Sequence, residues 1–196
     1  MLIVIEGIDG SGKTFIAQKL VKYLENKGYK VFLTKEPTEG PTGKLIKNLL
    51  ESEHKIDEIW GKIMALLFAA DRYYHQIEIS QKEKEGYIII SDRYYHSTFA
   101  YQLSYPNMDI NWVMEMHKYL KKPDYVFILD VPVEIALERI KNREKKNIYE
   151  NKEFLEKIRE RYLKLKEILS DENIYYIDNT RSPEEVVSEI VNIIKL

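Results

Sequence analysis

The residues with the clearest chemical potential form one octapeptide near the N-terminus, Gly7-Ile8-Asp9-Gly10-Ser11-Gly12-Lys13-Thr14, which satisfies the spacing G-x-x-x-x-G-K-[ST]. Glycines at this spacing let consecutive backbone N–H groups turn toward one anion, and a helix starting near Lys13 adds the positive end of its dipole. Lys13 then reaches the β- and γ-phosphates of a nucleotide, and Thr14 offers a hydroxyl to Mg2+. The loop lies between an apolar run, residues 2–5, and a stretch with Ile16, Leu20, Tyr23 and Leu24 at helical spacing, which is the context the motif requires. A nucleotide-phosphate site follows. On its own the loop leaves open a small-molecule kinase, a GTPase switch and an ATPase motor.

Other polar residues narrow that choice. A guanine-reading N-K-x-D pattern is absent, since the candidate positions read Asp130-Val131-Pro132-Val133 and Asp178-Asn179-Thr180-Arg181. The Asp-Glu pair with which motor ATPases activate water is also absent, because the third and fourth apolar runs end in Ser91-Asp92-Arg93 and Asp130-Val131. Asp92-Arg93-Tyr94 instead puts a carboxylate and a guanidinium beside the expected phosphates. There Asp92 could hold a metal-bound water and Arg93 could fork onto phosphate oxygens, with a surface salt bridge as the alternative. Phe68 and Arg72 stand four residues apart, hence on one helix face. They suit a nucleobase cradle by stacking and hydrogen bonding, with core packing as the alternative for Phe68.

The elements that must position these groups are legible as an alternation. Short runs rich in Val, Ile, Tyr and Phe at 2–5, 31–33, 87–90, 125–129 and 174–177 read as five buried parallel strands. Between them lie helical patterns, among them Phe154, Ile158, Tyr162 and Leu165, then Val186, Val187, Ile190 and Ile194. The last helix carries a start signal in Ser182-Pro183-Glu184-Glu185. An α/β fold is expected, a five-stranded parallel sheet flanked by helices, with ligands beyond the carboxyl ends of the strands. Residues 144–151 are charged and aperiodic, a solvated loop or a mobile flap.

With 196 residues and no repeat or linker, 1–196 reads as a single domain. Thirty basic against 32 acidic residues give a net charge of −2, which supplies no bulk attraction to nucleic acid or an anionic membrane. The longest apolar run, residues 63–70, is too short to span a bilayer. The absence of cysteine excludes disulfides, thiolate catalysis and thiolate zinc sites, and His54, His75, His96 and His117 show no ligand spacing. The N-terminus has no signal-peptide pattern, so a cytoplasmic protein is expected.

Taken together, Ile5-Glu6-Gly7-Ile8-Asp9-Gly10-Ser11-Gly12-Lys13-Thr14, Thr34-Lys35-Glu36-Pro37, Leu67-Phe68-Ala69-Ala70-Asp71-Arg72 and Asp92-Arg93-Tyr94 with residues 97–102 resemble the thymidylate kinase (dTMP kinase) family along the whole chain. The resemblance implies a P-loop NTPase fold with a short lid at about 143–150. It also implies phosphorylation of dTMP to dTDP with ATP and Mg2+ in dTTP biosynthesis, by a homodimer with neither nucleic acid nor membrane as partner. It assigns Gly7, Ile8, Asp9, Gly10, Ser11, Gly12, Lys13 and Thr14 to ATP, with Arg139 packed on adenine and the backbone of 179–182 bordering it. Phe68 would stack on thymine and Arg72 bond it, while Arg93 and the Lys35-Glu36-Pro37 turn hold the dTMP phosphate. Asp9 would face the sugar and phosphate; Ser97, Thr98 and Gln102 would line the base pocket, Tyr101 would crowd the ribose 2′ position, and Tyr149 would join the same site. Lys13, Asp9, Arg93 and Arg143 form the implied catalytic set, and Thr14 and Asp92 the metal site.

Two departures from the family pattern matter. Lys35 replaces a forked arginine by a point charge. The lid reads Asn147-Ile148-Tyr149-Glu150 where an arginine is usual at the second position, so Arg143, or else Lys145 or Lys146, is expected to supply that cation. Rival readings are another deoxynucleotide or deoxynucleoside kinase, and a regulatory module that holds ATP without transferring phosphate. Apolar residues in the helical stretch 56–79 suit either a dimer interface or ordinary core.

Overall fold

A computed structural model describes residues 1–52, 55, 57–141 and 151–196. In chain order its elements are β1 (Leu2–Glu6), α1 (Lys13–Asn26), β2 (Val31–Lys35), α2 (Pro41–Leu50), α3 (Glu58–Lys84), β3 (Ile88–Asp92) and α4 (His96–Tyr101). After a single 3₁₀ turn (Gln102–Ser104) come α5 (Ile110–His117), β4 (Tyr125–Asp130), α6 (Val133–Ile140), α7 (Lys152–Leu163), α8 (Leu165–Ile168), β5 (Ile174–Asp178) and α9 (Pro183–Ile194). Among the described residues five strands pair, all parallel, in the order β2-β3-β1-β4-β5. The chain leaves β1 toward one edge of the sheet and leaves β3 toward the other, so a crevice opens beyond their carboxyl ends.

The strands follow the apolar runs, with one informative difference: each extends one or two residues farther at its carboxyl end, and β3 starts at Ile88 rather than at 87. The added residues are mostly charged. Ile5 and Lys35 both pair with Asp92, Glu6 with Ile128, and Asp130 with Asp178. Backbone pairing is indifferent to side-chain polarity, so the ladder continues where hydrophobic patterning stops. The expectation of five buried strands is corrected at the edges. β2 has a neighbour on one side only and leaves Leu33 exposed, and β5 is half-buried at Tyr175 and Tyr176.

Alternate residues of the central strands face opposite layers. Ile3, Ile5, Phe127 and Leu129 pack with Ile16 and Leu20 of α1 and with Val186, Ile190 and Ile194 of α9. Leu2, Val4, Val126 and Ile128 pack on the other face with Met64 of α3, Phe99 of α4 and Leu155 and Ile158 of α7. The start signal at α9 is a capping box, with Ser182 and Glu185 each satisfying the other's backbone.

α3 is long, capped by Asp57 through the Trp60 N–H, and amphipathic in an unusual sense. One face buries Trp60, Met64, Asp71, Arg72, His75 and Ile79. The opposite face exposes Ile59, Ile63, Leu66, Ala70, Tyr73 and Ile77, at alternating spacings of four and three. Among the described residues no helix is long and apolar enough to cross a membrane. The expected lid, 143–150, with Arg143, Lys145, Lys146, Ile148 and Tyr149, lies outside the described residues.

Candidate active site

Between β1 and α1 the chain turns through Gly7, Gly10 and Gly12, all at positive φ. Gly10 has φ +83°, and a Cβ there would stand 2.2 Å from the Ala136 carbonyl oxygen, so the loop packs backbone to backbone on α6. Gly12, with φ +92°, is the N-cap of α1, and a Cβ would fall 2.7 Å from the Asn179 amide nitrogen. Asn179, just past β5, donates from Nδ2 to the Ser11 carbonyl at 2.5 Å. Arg139 of α6 donates to the Asn179 carbonyl at 3.0 Å and to that of Ser11 at 3.4 Å. The loop is thus braced from outside by two elements.

Lys13 is buried and its Nζ donates to the Ile8 carbonyl at 2.8 Å. Burial, then the charge of Arg93, lowers its pKa to about 8 against the opposing pull of Asp9, Asp92 and Glu6. Thr14 donates its hydroxyl to Asp92 Oδ2 at 2.5 Å, which joins the first turn of α1 to the end of β3.

Arg93 follows β3 directly and holds φ +77°, a left-handed conformation that costs a non-glycine residue about 1 kcal/mol or more. The geometry turns its guanidinium back over the loop. Nη1 donates to the Gly7 carbonyl at 3.3 Å, Ser97 Oγ at 3.1 Å and the Tyr162 hydroxyl at 3.3 Å. Nη2 donates to Asp9 Oδ1 and, at 3.2 Å, to the Tyr101 hydroxyl, while the guanidinium lies 5.1 Å from the Tyr101 ring centre. Tyr101 in turn donates to Asp9 Oδ2 at 3.2 Å.

A second cluster surrounds Arg72, which is almost wholly buried. Its Nε donates to Glu36 Oε2 at 2.7 Å, Nη1 to Thr98 Oγ1 at 2.6 Å and Nη2 to the Tyr94 carbonyl at 3.0 Å. Its guanidinium lies 5.4 Å from the Phe68 ring centre. His117 Nδ1 donates to the Val113 carbonyl at 2.7 Å, so Nε2 carries the lone pair that faces Arg72 Nη1 at 3.4 Å. Burial and the Arg72 charge lower the His117 pKa to about 3, which keeps that imidazole neutral. Glu36 is held on its other side by His75 at 3.0 Å, itself bonded to Thr34. Asp71 accepts from Thr38 and Thr42, pinning the segment after β2 to α3.

The structure therefore joins Asp9, Lys13, Thr14, Asp92, Arg93, Ser97 and Tyr101 in one cluster, and Glu36, Phe68, Arg72 and Thr98 in a neighbouring one. α4 links them, because Ser97 belongs to the first and Thr98 to the second. Gln102 is buried with no partner for Nε2 among the described residues. Lys35 stands apart, its side chain 58% exposed and 3.9 Å from Glu39. Arg143 and Tyr149 lie outside the described residues. Sequence reasoning missed Glu6, His75, His117 and Tyr162. A carboxylate closing an apolar strand was a visible signal for Glu6. Tyr162 sat in a helical apolar pattern that concealed its hydroxyl.

The chain matches the thymidylate kinase family model over residues 5–190. It is 41% identical to a probable thymidylate kinase of Thermococcus kodakarensis, with 100% of this chain and 97% of that protein covered. It is likewise 41% identical to one of Methanocaldococcus jannaschii, with 100% and 96% covered. With probable thymidylate kinase 1 of Saccharolobus solfataricus the identity is 42%, over 99% and 96% of the two chains.

Lys13 generates a pH prediction. Phosphates placed beside it raise its pKa, so triphosphate binding takes up a proton wherever free Lys13 is neutral. ATP affinity is expected to fall as pH rises through about 8. Calorimetry at about pH 9 in two buffers of different ionisation heat should show net proton uptake; its absence contradicts the assignment.

Proposed function

The chain belongs to the thymidylate kinase family, and from that membership and the site geometry we propose how it transfers the γ-phosphoryl group of ATP to dTMP to make dTDP. The observation that carries the reading is the convergence of two cations, the buried Lys13 from α1 and the partly buried Arg93 from the end of β3, on one loop beside Asp9. Like charges held together in a protein interior await an anion. Lys13 and the loop amides face the donor phosphates, and Arg93 the acceptor phosphate, which is already anionic and needs no general base.

The acceptor base lies against Phe68 and Arg72. Among the described residues Glu36, Thr98, Tyr94 and His117 take four of the five guanidinium N–H groups, which leaves one Nη2–H for a carbonyl on the base. Thymine presents a carbonyl where cytosine presents an amino group, so this donor selects against cytosine. Gln102 Nε2, without a partner among the described residues, is a further donor for the base. Tyr101, fixed between Arg93 and Asp9, crowds the ribose 2′ position, and Arg139 borders adenine from α6. Lys35 remains a solvated charge near the acceptor phosphate.

Thr14 and Asp92 contribute two hard oxygens at the mouth of the loop, and no group of three or more His, Cys, Asp or Glu that could hold a metal stands among the described residues. Such a pair fits Mg2+ arriving on the nucleotide, which keeps waters and phosphate oxygens as its other ligands. When bound it offsets charge on the β- and γ-phosphates. We assign Arg143 of the 143–150 lid to the transferred group, and read 1–196 as one cytoplasmic enzyme domain.

The exposed stripe on α3 supports a homodimer. Ile59, Ile63, Leu66, Ala70, Tyr73 and Ile77 repeat every three and four residues, the period that lets two helices keep one seam in contact. A second copy of the same stripe is its natural cover.

Three outcomes check these assignments. Coupled ADP release with dTMP, dUMP, dCMP, dGMP and AMP offered separately should favour dTMP; tight dTMP binding without dTDP would favour the regulatory module instead. Arg143→Ala should lower kcat by about a thousandfold with a much smaller change in dTMP affinity. Leu66→Glu should convert a dimer into a monomer in light scattering without loss of helicity, and a wild-type monomer would exclude the interface.

A further inference from the structure

β1 ends in a carboxylate that is wholly buried, and its four partners reveal how Arg93 is held. Glu6 Oε1 accepts from the backbone N–H groups of Tyr94 at 2.7 Å and Ser97 at 3.2 Å, which fixes the turn into α4. Glu6 Oε2 accepts from Ser97 Oγ and from the Tyr162 hydroxyl, each at 2.8 Å. A hydroxyl has one proton to give. With both protons directed at Glu6, the lone pairs of both oxygens face Arg93 Nη1, at 3.1 and 3.3 Å. Glu6 itself stays 4.0 Å from that nitrogen.

Two hydroxyls thus stand between a carboxylate and a guanidinium. A direct bidentate pair with Glu6 would turn the fork into the core, away from the phosphate loop. Relayed through hydroxyls, the negative charge balances Arg93 at one remove and leaves Nη2 directed at Asp9, on the side of the phosphate loop. Tyr162 reaches this point from α7, an element with no residue in the expected site. α7 is anchored independently by Arg159, which forks onto Asp130 of β4 at 2.7 and 2.9 Å.

We propose that Tyr162, tethered to Glu6, is a positioning residue for Arg93, acting together with Ser97 to aim the guanidinium at the acceptor phosphate. The inference rests on the reading that Arg93 holds that phosphate. Burial, with Glu6 adding to it, raises the Tyr162 pKa well above the ordinary phenol range, so its proton stays in place for Glu6.

The test compares dTMP with thymidine, which has the base and sugar but no phosphate. The wild type should bind dTMP more tightly than thymidine. Tyr162→Phe keeps the ring and removes only the hydroxyl. It should weaken dTMP binding about five- to tenfold and lower kcat, with thymidine affinity and the KM for ATP within about twofold of wild type. Ser97→Ala should shift the same ratio, and the double variant should lose more than the product of the single losses, since either hydroxyl alone can hold Nη1. If Tyr162→Phe does not fold, Ser97→Ala carries the same expectation. Equal weakening of dTMP and thymidine, or an unchanged ratio, overturns the inference alone. Equal affinity of the wild type for both ligands overturns the role of Arg93 and this inference with it.

Discussion

A charge removed from water must find a partner, and at the carboxyl edge of this sheet eight such charges among the described residues are buried or nearly so: Glu6, Asp9, Lys13, Glu36, Asp71, Arg72, Asp92 and Arg93. Their pairing determines the local structure. Glu36 lies between Arg72 and His75, Asp71 takes the threonines after β2, Asp92 takes Thr14, and Glu6 takes the turn into α4. Each bond crosses between segments far apart in sequence. Removing one partner strands the other, at a cost of several kcal/mol, so the arrangement is cooperative.

Lys13 is the charge least well matched, because Arg93 has Asp9 directly and Glu6 through two hydroxyls. Burial and mutual repulsion pull Lys13 to about 8, with Asp9 the nearest compensation for both. The left-handed backbone at Arg93 is held by the Glu6 contacts to the N–H groups of Tyr94 and Ser97 that follow it. By contrast, the surface ion pairs, such as Lys19 with Glu184, are exposed and contribute little.

α4 is short, yet it sets the distance between the anion site and the base site. Ser97 faces Arg93, Thr98 faces Arg72, and Tyr101 returns to Arg93 one helical turn later. Glu6 fixes where this helix begins and α7 supports it through Tyr162. The spacing of the Arg93 and Arg72 clusters is therefore set by buried contacts of α4 with β1 and α7.

The amino-acid sequence by itself determined the alternation of strands and helices and the phosphate loop, because these depend on local periodicity and on a motif whose chemistry is written in adjacent residues. The capping box of α9 and the shared face of Phe68 and Arg72 are of the same kind. Glu36 was legible as a site residue, but its partners were not, and the extension of β1 to Glu6 and of β3 to Asp92 was hidden because hydrophobic patterning ends before the hydrogen-bonded ladder does. Only the tertiary structure decided that Tyr162, His75 and His117 stand behind the arginines. Their sequence neighbours show ordinary helix patterns, and what distinguishes them is which charge the fold brings within hydrogen-bond reach.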